Sequence, residues 1–238
     1  MRTGSLSRGS TALAEWFFGG TCYLCRGESR ALLCAFCAAD LPRLPRERCP
    51  RCALPMPGSA VCGRCASEPP GFDATVAVFA YGFPADVLVQ GLKFRGELAL
   101  APLLADELRA EVAGSSGPLR TVDVIVPVPL HASRLRERGY NQSMEIAREI
   151  GKHFGVPVAA DLCERVRDTP AQPGLPWKER RDNVRGAFSC RRALDGRAVA
   201  VVDDVMTTGA TLGEVASTLK KFGAVRVVNW VVTRALAD

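Results

Sequence analysis

The hydrophobic and polar positions divide the chain at Glu68-Pro69-Pro70-Gly71, after which apolar segments recur at regular intervals. Ala74 to Tyr81 reads as a strand, and Ala85 to Lys93 and Leu98 to Val112 read as helices. Val122 to Val128 is a nearly continuous branched apolar run, as a strand buried on both faces requires. A helix from about Ser143 to Phe154 puts Met144, Ile146, Ala147 and Ile150 on one face, with Asn141 near its start. A short strand near Val156 to Leu162, a long polar segment from Arg165 to Gly186, and the strand Ala198 to Val202 follow. The helix Thr211 to Phe222 and the strand Val225 to Val232 close the pattern. This alternation predicts an α/β fold with a mainly parallel sheet flanked by helices.

Before the boundary the periodicity is lost. Pro42, Pro45, Pro50, Pro55 and Pro57 break any long helix or central strand, so this part has almost no core of its own and needs a staple. The sequence therefore predicts two domains, a small module over residues 1–70 and an α/β domain over residues 71–238.

Cysteine supplies the staple. Eight of the ten cysteines form four Cys-x-x-Cys pairs: Cys22 and Cys25, Cys34 and Cys37, Cys49 and Cys52, Cys62 and Cys65. That spacing suits metal rather than crosslinks, and it points to the cytoplasm. Two pairs make one tetrahedral thiolate site, so the count suits two structural Zn2+ ions, paired sequentially or interleaved; one ion with four spare thiols is the alternative. A closed four-thiolate site leaves no position open for catalysis. A redox role is less consistent, because thioredoxin-type pairs occur singly beside a βαβ unit. Cys163 and Cys190 read as small buried residues.

At 238 residues, with 47% hydrophobic and 24% charged, the chain suits one medium globular domain with a small appendage. No apolar run approaches the roughly 20 residues of a membrane-spanning helix, so no membrane insertion is expected. Arg2 and Arg8 precede an apolar patch, but Glu15 interrupts it and Trp16-Phe17-Phe18 offers no cleavage site; this stretch reads as a tail or short helix. The net charge of +6 is uneven: residues 1–70 hold nine Lys/Arg against five Asp/Glu, and residues 164–192 hold eight against four. Such patches face either an anion or nucleic-acid backbone, or only solvent.

The densest chemistry lies between Val199 and Leu212. A buried strand runs into Asp203 and Asp204, then into the hydroxyl-rich loop Thr207-Thr208-Gly209, then into a helix beginning near Thr211. Ligands of open α/β sheets bind at the carboxyl ends of strands, and a helix N-terminus there offers backbone N–H groups to a phosphate. Thr207, Thr208 and Thr211 add hydroxyls, Gly209 lets the backbone come close, and two carboxylates accept hydrogen bonds from a vicinal diol. The loop thus matches both ends of a ribose 5-phosphate. A bare Asp-Asp pair is also compatible with an ordinary strand-turn-helix. A Walker-type nucleotide site fails because Gly151-Lys152 continues into His153 inside a helix.

This stretch resembles the ribose-phosphate loop of type I phosphoribosyltransferases, a hydrophobic strand followed by D-D-x-x-T-T-G-x-T. The resemblance implies binding of 5-phosphoribosyl 1-diphosphate (PRPP) with Mg2+, with Asp203 and Asp204 on the ribose hydroxyls and Thr207, Thr208, Gly209 and Thr211 around the 5′-phosphate. More of the chain is similar to the ComF family of competence-associated proteins, through Leu92-Lys93-Phe94-Arg95-Gly96, Val126-Pro127-Val128-Pro129, Arg138-Gly139-Tyr140-Asn141-Gln142 and the stretch from Gln172 to Phe188. It implies a phosphoribosyltransferase-like domain behind a double zinc ribbon. It also adds Arg138 and Asn141 as PRPP-binding residues, against surface charge and helix capping as the bland readings, and raises Lys93 and Arg95 as diphosphate or nucleic-acid contacts.

Phosphoribosyltransferases often place a charged residue in the pyrophosphate loop, where this chain has Pro127 and Pro129, leaving backbone groups and Arg134, Arg136 and Arg138 for that contact. The polar segment with Arg165, Gln172, Lys178, Arg180, Arg181, Asn183 and Arg185 has the length of a functional lid. No catalytic residue, acceptor pocket or role for His131 or His153 can be read. The expected function is PRPP binding in DNA uptake or handling, with single-stranded DNA and a protein met through the zinc module as expected partners. The alternative is an active magnesium-dependent phosphoribosyltransferase of nucleotide metabolism.

Overall fold

The computed structural model describes residues 20–115, 117–169 and 182–236. Gln172, Lys178, Arg180 and Arg181 of the polar segment, and the N-terminal tail with Trp16, lie outside the described residues. The chain forms two compact units, Met1–Leu41 and Pro42–Asp238.

In the first unit, β1 (Gly20–Thr21) and β2 (Glu28–Ser29) form an antiparallel pair, followed by the short helix α1 (Ala35–Ala39). Cys22 is its buried thiol and Cys25 is exposed.

The composition break at residues 68–71 falls inside the second unit, because the segment from Pro42 to Cys65 is folded onto the sheet. Leu44 N–H donates to the Val78 carbonyl at 2.9 Å, and Ala80 N–H donates to the Pro42 carbonyl at 2.7 Å. This segment covers an edge that would otherwise present unpaired backbone groups. Leu44, Cys49, Cys52, Cys62 and Cys65 join the main core, and α2 (Gly63–Ser67) carries Cys65.

The central sheet is wholly parallel, in the order β3 (Ala74–Ala80), β8 (Arg226–Arg234), β7 (Ala198–Met206), β4 (Val124–Pro127). The helices between the strands are α3 (Ala85–Phe94), α4 (Leu100–Ala113), α5 (Gly117–Arg120), α6 (Ala132–Arg138), α7 (Gln142–Phe154) and α8 (Ala210–Lys221). Alternation along β7 explains the layers. Val199 and Val201 share a cluster with Leu212, Val215, Ala216 and Leu219 of α8, while α7 covers the sheet with Ile146, Ala147 and Ile150 buried. Each fully buried aliphatic side chain contributes about 1.5–3 kcal/mol against the exposed chain.

Two elements depart from the expected pattern. The strand expected near Val156 to Leu162 shrinks to a single parallel bridge between Ile125 and Val158. Cys163–Arg165 instead forms β5, paired antiparallel with β6 (Phe188–Cys190) as a separate two-stranded ribbon with Cys163 opposite Cys190. The strand expected to stop at Val202 continues to Met206, because Asp203, Val205 and Met206 still pair with Val231, Thr233 and Arg234 of β8. No helix among the described residues is long and apolar enough to cross a membrane.

Candidate functional site

At the carboxyl ends of β4 and β7 lies a cavity of about 470 Å³, within the range of small-molecule sites. Asp203, Asp204, Thr207, Thr208 and Thr211 line it from one side, and Lys93, Arg134, Arg138 and Arg165 bring positive charge from other elements.

The carboxylates are set deep because β7 runs through them: Asp203 is 8% exposed and Asp204 2%. Ser143 Oγ donates to Asp203 Oδ1 at 2.9 Å, and the Asp204 backbone N–H donates to the same oxygen at 3.0 Å. Gln142 Nε2 donates to Asp204 Oδ1 at 3.4 Å. Lys93 Nζ stands 3.5 Å from Asp204 Oδ2 and forms an ion pair with it. Burial pushes the Asp203 carboxyl up to about 8, helped by the charge of Asp204 beside it. Burial acts on Asp204 too, but Lys93 and the hydrogen bonds from Asp203 and Gln142 outweigh it and hold that carboxyl below its ordinary range. The two shifts run in opposite directions, so the proton that the pair holds favours Asp203.

Gly209 is the N-cap of α8 at φ 81°, a left-handed conformation open to glycine, and an added Cβ would lie 2.7 Å from Met206 Cε. Having no side chain, Gly209 leaves the first helical turn uncapped apart from Thr208 Oγ1, which accepts from Ala210 N–H at 3.3 Å. The turn ends in a positive helix pole beside three threonine hydroxyls, which suits a phosphate.

Arg138 lines the cavity, donates through Nη1 to Gln142 Oε1, and lies with its guanidinium carbon 5.5 Å from the Phe94 ring centroid. Asn141 sits behind the lining as the N-cap of α7: its Oδ1 accepts from Ser143 N–H at 3.0 Å and Met144 N–H at 3.4 Å, and its Nδ2 donates to the Val128 carbonyl at 3.0 Å. From the polar segment, Arg165, Asp168, Thr169, Asn183 and Val184 reach the cavity wall. Sequence reasoning passed over Ser143, Gln142, Asp168 and Thr169, whose polar side chains carry no pattern until the fold brings the first two to the aspartates and the last two to the cavity wall.

Each cysteine cluster is sequential, Cys22, Cys25, Cys34 and Cys37 in one and Cys49, Cys52, Cys62 and Cys65 in the other, with all four sulfurs of a set within 4.8 Å of one another. Tetrahedral zinc with Zn–S bonds of about 2.3 Å puts its sulfurs about 3.8 Å apart. Cys25 and Cys34 Sγ are 3.8 Å apart, and Cys52 and Cys62 Sγ are 3.6 Å apart, so both donor sets fit the ion. Cys34 N–H donates to Cys22 Sγ at 3.3 Å and Cys62 N–H to Cys49 Sγ at 3.4 Å. Backbone donors led by Cys25 lower the Cys22 thiol to about 6. For Cys49 burial is the largest influence and opposes ionisation, but the N–H groups of Cys62, Cys52 and Arg51 overcome it and bring the thiol to about 7.

Residues 13–66 match the double zinc ribbon domain. The chain is 33% identical to competence protein F of Haemophilus influenzae over 92% of its length and 99% of that protein's. It is 36% identical to the DNA utilization protein YhgH of Salmonella typhimurium over 91% of its length and 98% of that protein's. A purine phosphoribosyltransferase from Pyrococcus horikoshii aligns over 67% of this chain and 87% of its own at 18% identity and a TM-score of 0.31, a likeness from which nothing further follows.

Proposed function

We propose a function from one premise: this chain belongs to the family of competence protein F and the DNA utilization protein YhgH. Its α/β domain binds PRPP with magnesium, and the protein serves DNA uptake or handling. The observation that carries the ligand is the placement of two buried carboxylates and a helix N-terminus whose N-cap is a glycine in one cavity, with four cationic side chains around it. The carboxylates accept from the ribose hydroxyls, Thr207, Thr208 and Thr211 with the first turn of α8 hold the 5′-phosphate, and Arg138, Arg134 and Arg165 neutralise diphosphate. Lys93 neutralises Asp204 before the ligand arrives and is then free to turn toward a diphosphate oxygen.

Asp204 Oδ2, buried and 3.5 Å from Lys93 Nζ, is the oxygen that meets a cation once Lys93 turns toward the diphosphate. Magnesium would add positive charge along the diphosphate, held largely by ligand oxygens and water, which is consistent with the lack of a carboxylate cage among the described residues. The DNA role draws on the names of the relatives, competence and DNA utilization, and on the basic excess of residues 1–70 and 164–192.

Calorimetry with Mg2+ and PRPP on the native protein and on Asp203→Asn/Asp204→Asn tests the reading. Removing two charge-assisted hydrogen bonds together costs on the order of 3 kcal/mol, or about a hundredfold in affinity. Equal affinity in the double variant would remove the loop from the ribose site. The cationic side chains also favour a second reading, transfer of the phosphoribosyl group with departure of diphosphate. Turnover of PRPP with one member of a panel of nucleobases would establish it.

A further inference from the structure

Arg234, at the end of β8, is 2% exposed and makes no ion pair among the described residues. Its guanidinium is spent on carbonyls. Nε donates to the Cys52 carbonyl at 2.8 Å, and Nη1 donates to the carbonyls of Met206, at 3.1 Å, and Thr207. One end of this bridge is a residue of the second thiolate cluster, and the other is the start of the hydroxyl loop. A buried cation held largely by carbonyls is costly, and the charges that favour Arg234 are those of Cys52 and Cys65 in the second cluster. Four thiolates around one divalent zinc carry surplus negative charge, so a loaded cluster supplies the missing counter-charge.

A second contact runs between the same two places. Phe72, seven residues after Cys65, packs behind the loop, where a Cβ on Gly209 would lie 3.6 Å from its ring. Gly71 is wedged against α8, since a Cβ there would come 2.5 Å from the Gly213 carbonyl oxygen. The second cluster is thus joined to the phosphate loop by both a hydrogen-bonded bridge and packed backbone.

We propose that Arg234 is a positioning residue that couples metal in the Cys49, Cys52, Cys62 and Cys65 cluster to the shape of the Met206–Thr208 loop, so that zinc and PRPP strengthen each other's binding. The inference rests on the PRPP reading above. Coupling between binding sites is reciprocal, which gives a readout that a merely structural arginine would not move.

The experiment follows zinc release from the full chain into a chromophoric chelator, with excess magnesium, with and without saturating PRPP. PRPP should slow one of two release phases about fivefold or more and leave the other, from the Cys22, Cys25, Cys34 and Cys37 cluster, unchanged. Arg234→Met should weaken PRPP binding about tenfold at full zinc content and abolish the slowing, with Arg234→Lys intermediate. If PRPP binds the native protein by calorimetry yet slows neither phase, the coupling is wrong and the PRPP reading stands; if PRPP does not bind at all, both fall. A folded, zinc-loaded Arg234→Met protein that keeps native PRPP affinity would likewise overturn the role of Arg234. Should that variant fail to fold, the release rates of the native protein decide alone.

Discussion

Asp203 and Asp204 are neighbours in sequence, and their carboxyls shift in opposite directions. Asp203, raised to about 8, is favoured for the proton that the pair holds, whereas Asp204 is lowered beside Lys93. A ribose diol and a metal ion both favour the charged form, so the ligand must displace that proton. PRPP affinity should therefore rise as pH increases toward about 8, with proton release on binding at pH 7, measured by calorimetry in buffers of different ionisation enthalpy. Asp203→Asn should show neither effect. The sign for stability is the reverse. Between the ordinary carboxyl pKa and about 8 the folded state binds one proton more than the unfolded state, so the ligand-free protein loses stability as pH rises through that window. Denaturant titrations at pH 5 and 8 should show the loss, and Asp203→Asn should reduce it. An unchanged slope in the variant would mean that another group titrates there.

At the scale of elements, α7 is the scaffold of the carboxylate pair, because its first turn carries both Gln142 and Ser143. Asn141 serves the site through that turn, by capping it. Asn141→Ala should lower stability by about 1 kcal/mol and weaken PRPP binding modestly, while Asn141→Ser, still a good cap, should restore most of both. A serine variant as damaged as the alanine variant would mean that the amide touches the ligand itself. The capping residue and the β7–loop–α8 segment were legible because their signals are local: a branched apolar run, a D-D-x-x-T-T-G-x-T stretch and an asparagine before an amphipathic helix. The end of β7 was not, since its last residues are held by pairing with β8 rather than by their own propensity. Helix α6 was missed because its sequence, ASRLRER, buries no residue and so leaves no apolar stripe. The strand expected near Val156 was misjudged for the converse reason: its apolar residues suit a strand, yet only Val158 finds a partner.

Across the whole molecule, charge is where sequence and structure diverge most. The sequence carries a net +6 with its excess in two stretches, but the structure ties part of that excess to acids. Arg43 pairs with Glu107 and Arg48 with Glu111 on the sheet edge, and Arg191 pairs with Glu164 and Arg192 with Asp161 at the two-stranded ribbon. Arg48 is half-buried and also donates to the Ala77 carbonyl. Arg43, Arg191 and Arg192 are exposed, and pairs of that kind contribute little to stability, about 0–1 kcal/mol, so a phosphate chain can compete for these arginines. It must then leave the acids unpaired nearby, which lowers the number of phosphates neutralised. An effective count of about three to four on single-stranded DNA gives a slope of log affinity against log salt of about −2 to −3, or a loss of about fifteenfold to sixtyfold between 50 and 200 mM salt. Fluorescence anisotropy with a labelled oligonucleotide across that range measures it. Replacing Glu164 and Asp161 with Gln and Asn should strengthen binding at every salt concentration, because it frees Arg191 and Arg192 without altering the cavity, and PRPP affinity should stay unchanged. Absence of binding even at the lowest salt would return the basic stretches to the role of a solvated surface and leave the PRPP site to be judged on its own.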